Sequence, residues 1–190
     1  MPTRRTLLLR GLAVAIAGAA VPAALQAMPQ HGHAPVAGLG GALDLVDHHG
    51  APFNLQRLAG RPSLVFFGLT RCGTTCPIAL AVARQVLDAF GAQAAPPIVF
   101  VTLDPLNDGP RELKTHLGRI DARLIGLTGT PPQVADAAER FGVGTRVRAD
   151  GVDHSSMWYL LDERGRVSRV YAYTTPSAHL VDDLRRLAAH

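Results

Sequence analysis

Two cysteines, Cys72 and Cys76, are the only ones in 190 residues, and three residues lie between them in Thr70-Arg71-Cys72-Gly73-Thr74-Thr75-Cys76-Pro77. A pair cannot make a disulfide framework for a chain this long. A bridge closing so short a loop removes little chain entropy, so a structural staple is a poor use of it. Close thiols serve metal binding or redox exchange, and both uses need thiolate. Pro77 fixes φ for a first helical position and has no N–H to leave unpaired there. That sets Cys76 at or beside the helix N-cap, where free backbone N–H groups and the positive end of the helix dipole favour a thiolate. Arg71 adds a positive charge beside Cys72.

Two thiolates acting on a metal need further donors, and copper sites commonly add imidazole. The best candidate is His154, in Gly151-Val152-Asp153-His154-Ser155-Ser156, a loop expected to enter a strand beside the central one. Three residues separate the cysteines, where dithiol oxidoreductases usually have two. The proline that usually precedes the strand facing a reactive dithiol is replaced here by Ser155-Ser156. These features lean toward metal. Taken residue by residue they leave dithiol exchange at Cys72 and Cys76 open, and a lone loop histidine is more often a surface or hydrogen-bonding residue. Asp104 ends a strand on the same expected edge and is a candidate to tune the site, against commoner roles as a turn cap or solvated carboxylate. Trp158 and Tyr159 read as sheet residues.

The elements that must position these groups follow from periodicity. Residues 43–46 and 52–55 read as strands around Asp47-His48-His49-Gly50, an N-terminal hairpin. Residues 56–59 suggest one helical turn stopped by Gly60. The nearly continuous apolar run 64–69 reads as a central strand buried on both faces, and 98–103 as another. A helix over 77–90, ended by Gly91, follows the cysteine loop. Further helices are expected over 111–117, from Pro131 to about Phe141 with Thr130 as N-cap, and over 176–188. Residues 124–127 form a short strand, and 157–162 with 166–173 a hairpin across Glu163-Arg164-Gly165. Alternating strands and helices imply right-handed parallel crossovers. The expected fold is α/β: a thioredoxin-like mixed sheet flanked by helices, with an N-terminal hairpin.

Organisation along the chain points outside the cytoplasm. Residues 1–27 read as an export signal: Arg4-Arg5 precede an apolar run over 12–20, and Leu25-Gln26-Ala27 offers a cleavage point. The arginine pair resembles a twin-arginine signal. The run is too short and alanine-rich for a membrane span, so a cleaved signal is expected, with membrane association only if it is retained as an anchor. Residues 28–41 are rich in Gly, Pro and His and read as a flexible linker. Met28, His31 and His33 in it, and His48-His49 beyond it, are taken as incidental rather than metal ligands. The folded domain is expected over 42–190. Formal charge is +4, but three arginines lie in the signal, leaving about +1. That excludes an electrostatic case for nucleic acid or anionic membrane.

The combination of stretches 64–77, Val101-Thr102-Leu103-Asp104-Pro105 with Asp108, Leu127-Thr128-Gly129-Thr130-Pro131, and Val152-Asp153-His154-Ser155-Ser156 with Tyr159-Leu160-Leu161-Asp162 and Gly165 resembles the SCO/SenC family of copper-handling proteins, in the family's order over most of 42–175. The resemblance implies a thioredoxin-like domain binding one copper ion, Cu(I) or Cu(II), through Cys72, Cys76 and His154. It implies a metallochaperone acting in the periplasm on the copper-centre subunit of cytochrome c oxidase or another copper protein there. The alternative is a thiol-disulfide oxidoreductase that reduces such a partner's cysteines through Cys72 and Cys76. A thiol peroxidase is a distant third, since no separate resolving cysteine exists. One departure stands out: Gly73 occupies the place where the family usually has proline, which loosens the loop.

Overall fold

A computed structural model describes residues 31–148 and 151–189, with two short strands described as backbone only. The expected signal, residues 1–27, and Met28 lie outside the described residues. In chain order the elements are β1 (Leu45–Asp47), β2 (Pro52–Phe53), a 3-10 turn (Leu55–Leu58), β3 (Ser63–Gly68), α1 (Thr75–Ala94), β4 (Ile98–Thr102), α2 (Pro110–Gly118), β5 (Ile125–Thr128), α3 (Pro131–Arg140), β6 (Thr145–Arg148), β7 (Gly151–His154), β8 (Met157–Leu161), β9 (Val167–Ala172) and α4 (Ser177–Leu187). Seven strands form one sheet in the order β2-β1-β5-β4-β3-β8-β9, and β6 and β7 pair separately. Strands β3, β4 and β5 run parallel, while β1, β8 and β9 are antiparallel to their neighbours. This is the expected mixed sheet flanked by helices.

The period of two along β3 and β4 divides the core. Leu64, Phe66, Ile98 and Phe100 face a layer built by α1, α2 and α4, through Ala83, Val86, Leu87, Leu113, Leu117 and Leu180. Val65, Phe67, Val99 and Val101 face α3 and the N-terminal strands, through Val134, Ala137 and Phe141. All six residues of β3 are buried, as its unbroken apolar run requires of a central strand. Trp158 lies against Phe66 and Tyr159 against Phe67 and Phe141, so both are sheet residues. Thr130 caps α3 with a reciprocal Gln133 bond, and Pro131 is the first helical residue.

Three local readings change. Helix α1 starts two residues before Pro77, with Thr74 as N-cap. Pro77 is its third residue, which costs nothing because the first four helical N–H groups have no intrahelical partner anyway. The expected stop at Gly91 is a break, with φ 71° and ψ 178°, followed by a final turn to Ala94. The stretch around His154 is not a loop but the β6–β7 hairpin, in which Thr145 pairs with His154. Thr145, Val147 and Val152 supply its β-branched residues.

Residues 31–41, read as a linker, make specific contacts. The His33 N–H donates to the Val170 carbonyl at 2.9 Å and the Val170 N–H returns to His33 at 3.0 Å. The His31 N–H reaches Asp183 Oδ2 at 3.0 Å, and its ring stacks on His179 with centroids 3.8 Å apart. A Cβ on Gly32 would lie 2.5 Å from the Tyr171 ring, so only glycine passes there. His48 is structural too: its Nδ1 accepts from the Gly126 N–H at 2.8 Å, extending the β1–β5 pairing. Among the described residues no helix is long and apolar enough to cross a membrane.

Candidate metal centre

The C-terminal end of β3 delivers the chain into the cysteine loop, and α1 begins within that loop. Cys72 is half-buried and Cys76 is 1% exposed, packed among Phe66, Ala79, Leu80 and Phe100. Both are free thiols. The Leu69 N–H donates to Cys76 Sγ at 3.4 Å, and the Cys76 N–H donates to Cys72 Sγ at 3.5 Å. Gly68 makes room for the inner sulfur: a Cβ there would sit 2.8 Å from Cys76 Sγ and 2.8 Å from the Phe100 ring.

The two sulfurs differ in character. Burial pushes the Cys72 thiol up, but N–H groups of Cys76, Thr74 and Thr75 and the Cys76 thiol outweigh it, bringing it to about 7. These donors are the unpaired amides of the helix start. Expected from the sequence to act on Cys76, they converge instead on Cys72, while Cys76 is too buried to gain from its place in the helix. Burial pushes Cys76 up to about 12; the Leu69 N–H opposes this, and Cys72 and the Asp108 charge reinforce it. The outer sulfur is therefore an accessible thiolate near neutral pH. The inner one keeps its proton until a cation or an electrophile replaces it.

Two acidic residues after β4 hold the loop from the other side. Burial pushes the Asp104 carboxyl up, but Arg71 and Asn107 prevail and lower it. Arg71 lies 2.8 Å from Asp104 and is not among the largest influences on Cys72. Its expected direct effect on the thiolate is thus replaced by a tie between loop and β4, because Asp104 is the nearer counter-charge. Asp108 is 1% exposed and accepts from the Thr70 N–H at 3.0 Å, the Thr70 hydroxyl, and the Thr102 hydroxyl at 2.7 Å. Sequence reasoning had Asp108 only as part of a motif, and gave Gly68 no role. A glycine at the end of a fully buried strand is the signal that marks a close approach.

The structure brings Cys72 and Cys76 together with Asp104 and Asp108 behind the loop. Among the described residues no group of three His, Cys, Asp or Glu side chains converges on one point. The backbone of His154 closes β7 three residues before β8. Strand β8 runs antiparallel to β3, with Trp158 opposite Phe66. The chain just before β8 therefore arrives at the edge of the sheet where β3 enters the cysteine loop. Soft thiolates select Cu(I), Zn or Fe–S clusters, and adding imidazole admits copper; two sulfurs with one histidine fit a copper ion.

A family model described as SCO1/SenC matches residues 32–189. The chain belongs to the SCO1/SenC family. It is 32% identical over 155 residues to an SCO2-like protein of Rickettsia conorii, covering 77% of this chain and 76% of that one. The structure of Bradyrhizobium japonicum ScoI with copper bound has 31% identity and a TM-score of 0.72, covering 78% of this chain and 99% of that one. BsSco, described as a member of the Sco family of cytochrome c oxidase assembly proteins, shares the fold at 24% identity and a TM-score of 0.69, covering 84% of this chain and 98% of that one. The thioredoxin-like fold of SCO1/SenC proteins is the fold of this chain.

Proposed function

We propose that this chain is a copper metallochaperone that takes one copper ion on Cys72, Cys76 and His154. We propose further that it delivers the ion during assembly of the dinuclear copper centre of cytochrome c oxidase. The observation that carries the reading is the pair of free sulfurs, one half-exposed and one buried, at the end of β3, beside the start of β8, which follows His154 by three residues. The copper bound by ScoI, a relative at 31% identity, supports the cargo. The description of BsSco supports the destination through the family.

Copper is the cargo here. Cys72 meets it first as thiolate; Cys76 then ligates with loss of its proton to solvent; a neutral imidazole completes the set. Two anionic soft donors favour Cu(I), and the imidazole helps retain Cu(II). A half-exposed sulfur allows the ion to leave by ligand exchange. Work outside the cytoplasm, after export on the twin-arginine-like segment, completes the reading; there the thiols must be kept reduced.

The second reading, reduction of a partner's disulfide, rests on the same Cys72 thiolate, which is the nucleophile such exchange requires. The two separate on one experiment. Copper-loaded protein is mixed with the reduced copper-centre domain of cytochrome c oxidase, and apo protein with its oxidised form. Copper appearing on the reduced domain is expected for the chaperone. Reduction of the oxidised domain without copper transfer contradicts it.

A further inference from the structure

Asp108 is a carboxylate inside the protein with no counter-cation beside it among the described ion pairs. Its oxygens accept three hydrogen bonds. Two come from Thr70 at the start of the cysteine loop, 38 residues away in sequence, and one from Thr102 at the end of β4. Thr102 Oγ1 in turn accepts from the Asp104 N–H at 2.9 Å, and Asp104 holds Arg71. Thr70 and Arg71 are thus both fastened to one turn after β4. Thr70 directly follows Leu69, whose N–H meets Cys76 Sγ and whose carbonyl accepts from the Cys72 N–H at 3.3 Å.

We propose that Asp108 is a positioning residue that clamps Thr70, and through it Leu69, so that both cysteine sulfurs are held in place before any metal arrives. A loop containing Gly73, with no proline to stiffen it, needs an external brace. A buried carboxylate accepting three donors is a strong one, because hydrogen bonds to a charged group exceed neutral ones. The inference deepens the copper reading of the loop and rests on it for its consequence, though not for its geometry.

The bonding pattern supplies its own control. Asp108→Asn can keep all three bonds: its oxygen accepts from the Thr70 N–H and the Thr102 hydroxyl, and its amide donates to the Thr70 hydroxyl once that rotates. Asp108→Ala can keep none. Thr70→Val removes one donor and keeps the side-chain shape, so it serves if Asp108→Ala does not fold. Leu127→Ala, in the core on the other face of the sheet, is the control for general destabilisation.

The experiment is timed alkylation of the full chain by iodoacetamide, with mass spectrometry reading Cys72 and Cys76 separately, well below the melting temperature of each variant. In parallel, Cu(II) is added and its electron paramagnetic resonance spectrum recorded. In Asp108→Ala, and to a lesser degree in Thr70→Val, the protection of Cys76 relative to Cys72 should fall by about tenfold, the factor for losing hydrogen bonds to a charged group. The copper spectrum should broaden with it. Asp108→Asn, which keeps the three bonds as weaker neutral ones, should lose clearly less than Asp108→Ala in both readouts, and Leu127→Ala should match wild type. Unchanged protection in Asp108→Ala and Thr70→Val overturns the clamp, as does equal loss in Leu127→Ala or in Asp108→Asn. If wild type binds no copper, the copper reading falls, and the alkylation rates still decide the clamp.

Discussion

Raising the pH through neutrality should switch on Cys72 and leave Cys76 silent. The structure brings the Cys72 thiol to about 7 from the ordinary 9.0. Its acid form is the disfavoured one, so thiolate and reactivity rise with pH through that midpoint and are lost below it. At pH 7 about half of Cys72 is thiolate, against about 1% of an ordinary thiol. Lower basicity reduces intrinsic nucleophilicity by about 6- to 10-fold over two pK units. The net rate should exceed that of an unperturbed cysteine by about fivefold to eightfold. Cys76, pushed up to about 12, carries about one thiolate in 10⁵ at pH 7. Its greater basicity recovers about 2 to 2.5 orders of magnitude, leaving it about 160- to 500-fold slower than Cys72 before burial is counted. Alkylation of the reduced protein from pH 5 to 10, resolved by peptide mass spectrometry, reads both residues at once. A Cys72 midpoint at or above 9, or faster modification of Cys76, would refute the account of the helix-start amides.

Other outcomes follow from single contacts. Gly68→Ala drives a Cβ against Cys76 Sγ and the Phe100 ring; overpacking of this kind costs about 1–3 kcal/mol, and thermal melting should show it together with displaced Cys76 reactivity. Arg71→Ala should move the Cys72 midpoint by no more than about a few tenths of a unit, because a paired, exposed charge is screened; a rise of a full unit would restore Arg71 as a direct partner of the thiolate. Thr130→Ala removes the hydroxyl half of the α3 capping box and leaves the backbone N–H bond to Gln133; it should cost about 1 kcal/mol in denaturant unfolding, with copper binding unchanged.

Much of this architecture is legible in the sequence, for reasons that particular residues make plain. The run from Leu64 is uniformly apolar because β3 is covered on both faces. Thr130-Pro131 announces α3 because capping is chemistry between neighbours in sequence. What stays hidden depends on distant partners. The Asp108–Thr70 contact spans 38 residues, and no local pattern distinguishes it from a helix-start aspartate. Arg71 beside Cys72 suggests a charge acting on sulfur, whereas Asp104 captures it. The Gly/Pro/His composition of residues 31–41 suggests solvated chain, yet Gly32 lets the backbone reach Tyr171 and His31 reach Asp183. The β6–β7 hairpin is short and rich in arginine, so its period-two pattern is weak.

The central claim is a three-ligand copper site, and titration of the reduced protein with Cu(I) against a chromophoric competitor tests it most directly, in wild type and His154→Ala. The account predicts one copper per wild-type chain. In His154→Ala, binding should be weakened by about tenfold or more even with Cys72 and Cys76 intact, since one of three donors is gone. Equal affinity in the two proteins would contradict it and leave the cysteine pair as a dithiol.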